Sequence, residues 1–285
     1  MKIKEKFLFR KTNLLFVFSL FLISESLFAY VPNSTDAVDQ TDYTYLKAKY
    51  ASVLSLDPAI NTNSADLALL TAKDGMMNGY VDMDNQLTPN AYKDIVIVGS
   101  SIMQFWSNGI TAPADMVTDL APLPVMNRGI GGSIMIQQIH YFSKLVPPHH
   151  PKVVVMYNLN DIDAKTADQT FEMFRYFEYL VHEYDPTIVF YIVSGMPAPT
   201  YSAKLESFVK PLDVLLKNYA TFRPNTKYID IYNSFLNNGT PNATLFNADG
   251  LHLSAAGYQI LTPLYKIPLT QSMDLISGKP TIVVE

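Results

Sequence analysis

Residues 94–102 read Asp-Ile-Val-Ile-Val-Gly-Ser-Ser-Ile, and this stretch decides the fold. Ile95–Val98 is apolar and β-branched at every position. A strand with one wet face alternates polar and apolar residues, whereas an unbroken apolar run suits a parallel strand covered on both faces. Gly99, Ser100 and Ser101 then supply the small residues of a turn. Downstream, Val125–Met126, Val153–Tyr157, Ile188–Val193 and Tyr228–Ile231 read as four further strands.

Helical stripes separate these runs. Met135, Ile139, Phe142 and Val146 share one helix face, and Pro147 and Pro148 stop that helix. Phe174, Phe177, Val181 and Tyr184 form a second stripe, ended by Asp185 and Pro186. Leu205, Phe208, Leu212, Leu215 and Tyr219 form a third, which Pro211 must kink or split. A last helix begins near Ser254. Strands alternating with helices, joined by right-handed crossovers, predict an α/β fold: a three-layer α/β/α sandwich around a five-stranded, flavodoxin-like parallel sheet. In such sheets ligands bind beyond the carboxyl ends of the strands.

Upstream of residue 93 the pattern is less regular. Lys2, Lys4, Lys6, Arg10 and Lys11 precede an apolar run, Leu14–Ile23, and Ala29 is a small residue at a plausible cleavage point. That is the layout of a secretory signal peptide over residues 1–29, and the run is shorter than the ~20 apolar residues of a membrane span. The expectation is an exported protein, periplasmic or secreted, with no stable membrane insertion after cleavage. Residues 30–42 are polar and read as a leader. Leu46, Tyr50, Val53 and Leu54 mark a helix closed by Pro58, and Asn61–Ser64 cap a second helix through Leu67 and Leu70. Gly75, Gly79 and Asp82–Asn85 read as loop, with the two aspartates in a solvated turn. Residues 30–92 are thus an N-terminal helical extension and residues 93–285 the main domain. In the tail, Ile267–Glu285, the Thr281–Val284 segment would suit an edge strand or an assembly contact.

Charge narrows the partners. The chain carries a formal net charge of −5, and loss of residues 1–29 removes five basic and two acidic residues, leaving 16 basic against 24 acidic, or −8. An acidic domain without basic clusters is a poor partner for nucleic acid or anionic membranes. With no Cys in the chain, disulfides and lipid attachment through cysteine are excluded.

The chemistry sits after the strands. Gly99-Ser100-Ser101-Ile102 follows the first, Asn127-Arg128-Gly129-Ile130-Gly131-Gly132 the second and Asn158-Leu159-Asn160-Asp161 the third. Asp249-Gly250-Leu251-His252 lies beyond the fifth. Each is weak alone: a strand-end Ser is usually a helix cap, a Gly-rich turn a tight connection, and His149-His150 beside prolines an exposed loop. Neither glycine-rich stretch matches a dinucleotide or P-loop pattern, and no His/Cys/Asp cluster has metal-ligand spacing, so neither cofactor nor metal is called for. The Gly-x-Ser-x-Gly elbow of α/β-hydrolases is absent, because Met103 stands at its second glycine.

Together the four stretches resemble the SGNH (GDSL-like) hydrolase family over most of residues 94–265. Gly99-Ser100-Ser101 is similar to a Gly-Ser-Ser variant of the family's first block, with Trp106 placed as in that variant. The resemblance implies Ser101 as nucleophile, Asp249 and His252 as its partners, and Leu253 and Gly257 continuing the last block. It also implies an oxyanion hole from the Ser101 and Gly132 backbones, with Gly131 as the fallback, and the Asn160 side chain. These residue types suit acyl transfer: imidazole takes the serine proton, the carboxylate orients the imidazole, and fixed donors meet the developing oxyanion. Two positions depart from the family pattern. Asn158 replaces a glycine, and if that position needs a left-handed backbone, asparagine is the least costly replacement. Gln104 stands where the variant often has Arg, removing any anion contact supplied there.

The function this implies is an exported serine esterase acting on acetyl or short acyl groups of small-molecule, glycan or lipid esters through an acyl-enzyme. A non-catalytic glycan- or lipid-binding module on the same scaffold is the alternative, and a flavodoxin-like cofactor binder lacks the expected phosphate loop.

Overall fold

A computed structural model of the chain describes residues 40–87, 93–107 and 115–279. The signal peptide over 1–29, most of the polar leader and the Thr281–Val284 segment lie outside the described residues. Five parallel strands form the centre: β1 (Ile95–Gly99), β2 (Val125–Gly129), β3 (Val153–Tyr157), β4 (Val189–Val193) and β5 (Thr226–Ile229). Their order is β2-β1-β3-β4-β5. Ile95 pairs with Val125 on one side and Val153 on the other, which brings the carboxyl ends of β1, β2 and β3 level. All five β1 residues and all five β3 residues are buried, as unbroken apolar runs require. The chain thus has the expected α/β architecture of a five-stranded parallel sheet with flanking helices.

Helices precede the sheet: α1 (Gln40–Leu54), α2 (Ser64–Thr71) and α3 (Asp74–Asn85). After β1 come α4 (Ser101–Phe105) and α5 (Met116–Asp119), and after β2 come α6 (Met135–His140) and α7 (Phe142–Leu145). The long α8 (Ala167–Tyr184) follows β3, α9 (Lys210–Phe222) follows β4, and α10 (Ala255–Ile276) closes the chain. Asn63 caps α2, Thr166 caps α8 and Ser254 caps α10 through side-chain oxygens, satisfying backbone donors that a helix start leaves free.

The structure corrects several expectations. Residues 75–85 are helix rather than loop, because Met77 is buried and Met76 and Tyr80 pack against the core. Asp84 is in no solvated turn: it pairs with buried Arg128. His149 is buried rather than exposed, with its Nε2 3.4 Å from Asp84 Oδ2. Burial first, and then the Arg128 charge, push its pKa down to about 4. Asp42, at the end of the expected leader, is also buried, receiving hydrogen bonds from Arg175 at 2.9 Å and Tyr179 at 2.5 Å.

Other boundaries move. The helix expected from 135 to 146 breaks at Tyr141, whose hydroxyl donates to Leu70 O at 2.6 Å. β5 lies two residues earlier than the apolar pattern suggests, at the register Phe190↔Thr226, because Thr226 Oγ1 reaches the buried Glu178 at 2.8 Å. Pro211 splits its helix as expected: a π turn, Leu205–Val209, precedes α9, and Pro211 sits in the first turn, where its missing N–H costs nothing. The start of the tail is helical, since α10 runs to Ile276 through Pro263 and Pro268.

Candidate active site

Ser101 sits where β1 turns into α4. Gly99 has φ 155°, and a Cβ on it would lie 2.2 Å from Tyr157 O, so only glycine lets the turn pass this close to β3. The short α4 is held from three sides. Tyr258 of α10 donates to Ile102 O at 2.8 Å, and Asn127 of β2 donates to Met103 O at 2.7 Å and Trp106 O at 3.2 Å. Trp106 is buried against Tyr258 and Tyr265, and its indole N–H reaches Asp119 at 2.8 Å. A side chain on so short a helix is positioned by these ties rather than by the helix itself.

Asp249 and His252 share one turn ahead of α10. The Asp249 carboxylate accepts the backbone N–H groups of Leu251 and His252, each at 2.9 Å, and its Oδ2 lies 2.6 Å from His252 Nδ1. His252 Nε2 lies 3.0 Å from Ser101 Oγ. With Nδ1–H donating to the carboxylate, Nε2 carries a free lone pair facing the serine hydroxyl. Burial alone would raise the Asp249 carboxyl, but the His252 ring and the two backbone N–H groups outweigh it and hold its pKa below the ordinary value. The imidazole packs on Phe105, with ring centroids 4.9 Å apart. Thr200 fixes the turn from outside: its hydroxyl donates to Asp249 O at 2.8 Å and its N–H to Gly250 O at 3.1 Å.

The remaining sequence-predicted residues line the loops after β2 and β3. A Cβ on Gly131 would fall 4.0 Å from Ser101 Cβ, so this loop runs beside the serine. Gly132 has φ 67°, a backbone that side chains disfavour. Asn160 Nδ2 donates to Ser133 O at 2.9 Å, which engages one of its two amide hydrogens. Asn158 is not among the residues with positive φ, so its backbone gives no reason for replacing glycine. Its side chain does: Nδ2 donates to Ser133 O at 3.0 Å while Oδ1 accepts the Asn160 N–H at 2.9 Å. Gln138 ties the same corner to β1, donating to Ser133 Oγ at 2.6 Å and Gly99 O at 2.8 Å. Gln104 lies against Gly131, where an added Cβ would meet its Oε1 at 2.1 Å.

Ser101, His252 and Asp249 are therefore in hydrogen-bond sequence, and the glycine loop runs beside the serine. Sequence reasoning did not find Asn127, Thr200, Gln138 or the bridging role of Asn158. Asn127 and Asn158 lie inside the second and third motifs, where nothing local announces their partners, and Gln138 and Thr200 lie outside all four. Among the described residues no group of three or more His, Cys, Asp or Glu side chains could hold a metal ion, and no helix is long and apolar enough to cross a membrane.

Comparison with solved structures shows the same fold. A GDSL-like lipase from Bacteroides thetaiotaomicron superposes with a TM-score of 0.57 at 20% identity, covering 69% of this chain and 98% of that one. A lipase/acylhydrolase from Enterococcus faecalis gives 0.51 at 22% identity, covering 62% and 95%. A family 3 carbohydrate esterase from Clostridium thermocellum gives 0.50 at 15% identity, covering 65% and 98%. Comparison with curated proteins finds no match. The model of the GDSL-like Lipase/Acylhydrolase family matches residues 97–260, a span that holds every motif described above, and the chain belongs to that family.

Proposed function

We propose that Ser101, His252 and Asp249 act as a catalytic triad hydrolysing acetyl or short acyl esters of carbohydrate or lipid through an acyl-enzyme. Carboxylic ester hydrolysis itself follows from membership of the family. One observation carries the triad: His252 bridges Asp249 and Ser101 at 2.6 and 3.0 Å through its two ring nitrogens. Ser101 Oγ attacks the ester carbonyl as His252 takes its proton. The tetrahedral intermediate collapses with that proton passing to the departing alcohol. Water, deprotonated by the same imidazole, then releases the acid and restores Ser101. The proposed oxyanion donors are the N–H groups of Ser101 and Gly132 and the second amide hydrogen of Asn160. Both substrate classes are proposed because lipases and a carbohydrate esterase share this fold. Export to the periplasm or medium is proposed from residues 1–29.

The test is hydrolysis of p-nitrophenyl acetate and butyrate by the chain lacking residues 1–29. Ser101→Ala should lower kcat by about 10⁴-fold or more. Equal turnover by the variant and the wild type would overturn the assignment. A wild type that binds glycan or lipid without S101A-sensitive turnover would favour the binding-module alternative.

A further inference from the structure

The family match begins at residue 97, so the helices of residues 40–85 lie outside it, yet one of their side chains reaches the proposed catalytic loop. A Cβ built on Gly132 would lie 3.3 Å from Lys73 Nζ. The neighbouring Gly131 is the residue whose Cβ would lie 4.0 Å from Ser101 Cβ, so adjacent loop residues face the nucleophile and the ammonium. Lys73 is half-buried and makes no ion pair or side-chain hydrogen bond among the described residues.

The lysine backbone is held in place. Tyr141 donates to Leu70 O at 2.6 Å and to Asp74 Oδ1 at 3.0 Å. Gln137 donates to Leu69 O at 2.6 Å, and Tyr80 donates to Gly129 O at 2.6 Å. These bonds bracket Lys73 on both sides and fasten it to the segment that carries the glycine loop. The carboxylate next in sequence, Asp74, is engaged by Tyr141. A partly buried lysine with no ion-pair partner among the described residues attracts an anion more strongly than one already paired with a carboxylate.

We propose that Lys73 is a specificity-determining residue that binds an anionic substituent, a carboxylate or phosphate, carried on the ester substrate beside its scissile carbonyl. This rests on the esterase reading and adds the substrate's charge to it. The N-terminal helices thereby form part of the substrate site.

Three esters test it: phenyl acetate, which is neutral, 4-acetoxybenzoate, charged on the alcohol side, and monophenyl succinate, charged on the acyl side. Lys73→Gln should lower kcat/KM for one of the charged esters relative to phenyl acetate by about tenfold, with the loss in KM. Lys73→Arg should restore most of it, and added salt should erode the wild-type preference. The charged ester affected tells which side of the carbonyl the ammonium serves. An unchanged ratio for both charged esters, or equal losses on all three, would overturn the proposal. Calorimetric binding of the same esters to Ser101→Ala, with and without Lys73→Gln, reads the contact without turnover. Weakened binding of a charged ester there supports Lys73 even if hydrolysis proves insensitive to Ser101, and unchanged binding refutes it.

Discussion

At the scale of single residues, the proposed oxyanion side depends on a polar corner rather than on one asparagine. Ser133 O receives both the Asn158 and Asn160 amides, and Asn158 Oδ1 receives the Asn160 N–H, so the Asn160 side chain is held by a closed set of bonds. Asn160→Ala removes a donor, and a drop in kcat of about 10²–10³-fold is expected. Asn158→Gly restores the residue usual in the family but cuts two of the three bonds. It is expected to lower kcat about tenfold with KM little changed, because Asn160 is misaligned rather than lost. Steady-state kinetics on p-nitrophenyl acetate check both, and wild-type kcat in Asn158→Gly would show the corner to be dispensable. The stretches that hold the proposed triad stand out in the sequence, Ser101 directly after an apolar strand and Asp249 and His252 within one short motif well beyond β5. The role of Asn158 was not legible, because its partner Ser133 lies 25 positions away, and only the fold brings the two together.

At the scale of elements, α3 shows what local pattern misses. Two glycines and a run of polar residues argue for loop, and glycine costs a helix roughly 0.8–1 kcal/mol against alanine. Tertiary contacts outweigh that cost. Met77 is buried, Tyr80 donates to Gly129 O and stacks on the Arg128 guanidinium at 4.7 Å, and Asp84 pairs with that guanidinium. Gly79 has open space around a would-be Cβ and no positive φ. Gly79→Ala should therefore stabilise the protein by about 0.5–1 kcal/mol, read as a rise in urea midpoint, and a fall in that midpoint would show that the backbone at 79 does not accept a side chain. Asp84→Ala should act in the opposite direction. Side-chain exposure of 2% for Arg128 and 9% for Asp84 leaves the guanidinium uncompensated, and losses of about 3–5 kcal/mol are usual for breaking such a pair. By contrast, β1, β3 and β4 were legible as continuous apolar runs. β2 runs past its Val125–Met126 reading through the polar Asn127 and Arg128 to Gly129, and β5, an edge strand with half-buried Lys227 and Tyr228, was read two residues out of place.

At the scale of the whole molecule, buried carboxyls give stability a pH dependence of mixed sign. Glu178 is fully buried. Burial pushes its pKa up, but His182 and Arg223 overcome this and hold it below the ordinary value, so its contribution is lost as pH falls through that folded value. Asp161 and Asp213 behave in the opposite way. Burial raises them to about 6 and about 7, against partial relief from the Met135 and Gly195 N–H groups respectively, and Asp230 pushes Asp213 further up. A folded pKa above the unfolded 3.8 means that the folded state keeps a proton the unfolded chain has already released. The stability this supplies is complete below pH ~4 and is lost as pH rises through the folded value. Asp213→Asn isolates the effect: the amide oxygen can still accept the Gly195 N–H, now at 2.6 Å from Asp213 Oδ1, while the ionisable group is gone. The variant's unfolding midpoint should match the wild type near pH 4, rise above it progressively to pH 7, and stay above it at pH 8. A gain of about 1 kcal/mol there corresponds to roughly 2–4 °C in a chain of this size. Thermal unfolding of the two proteins across that range decides the matter: a gap that is constant with pH would assign the gain to packing, and one that widens toward acid would mean that Asp213 is held ionised.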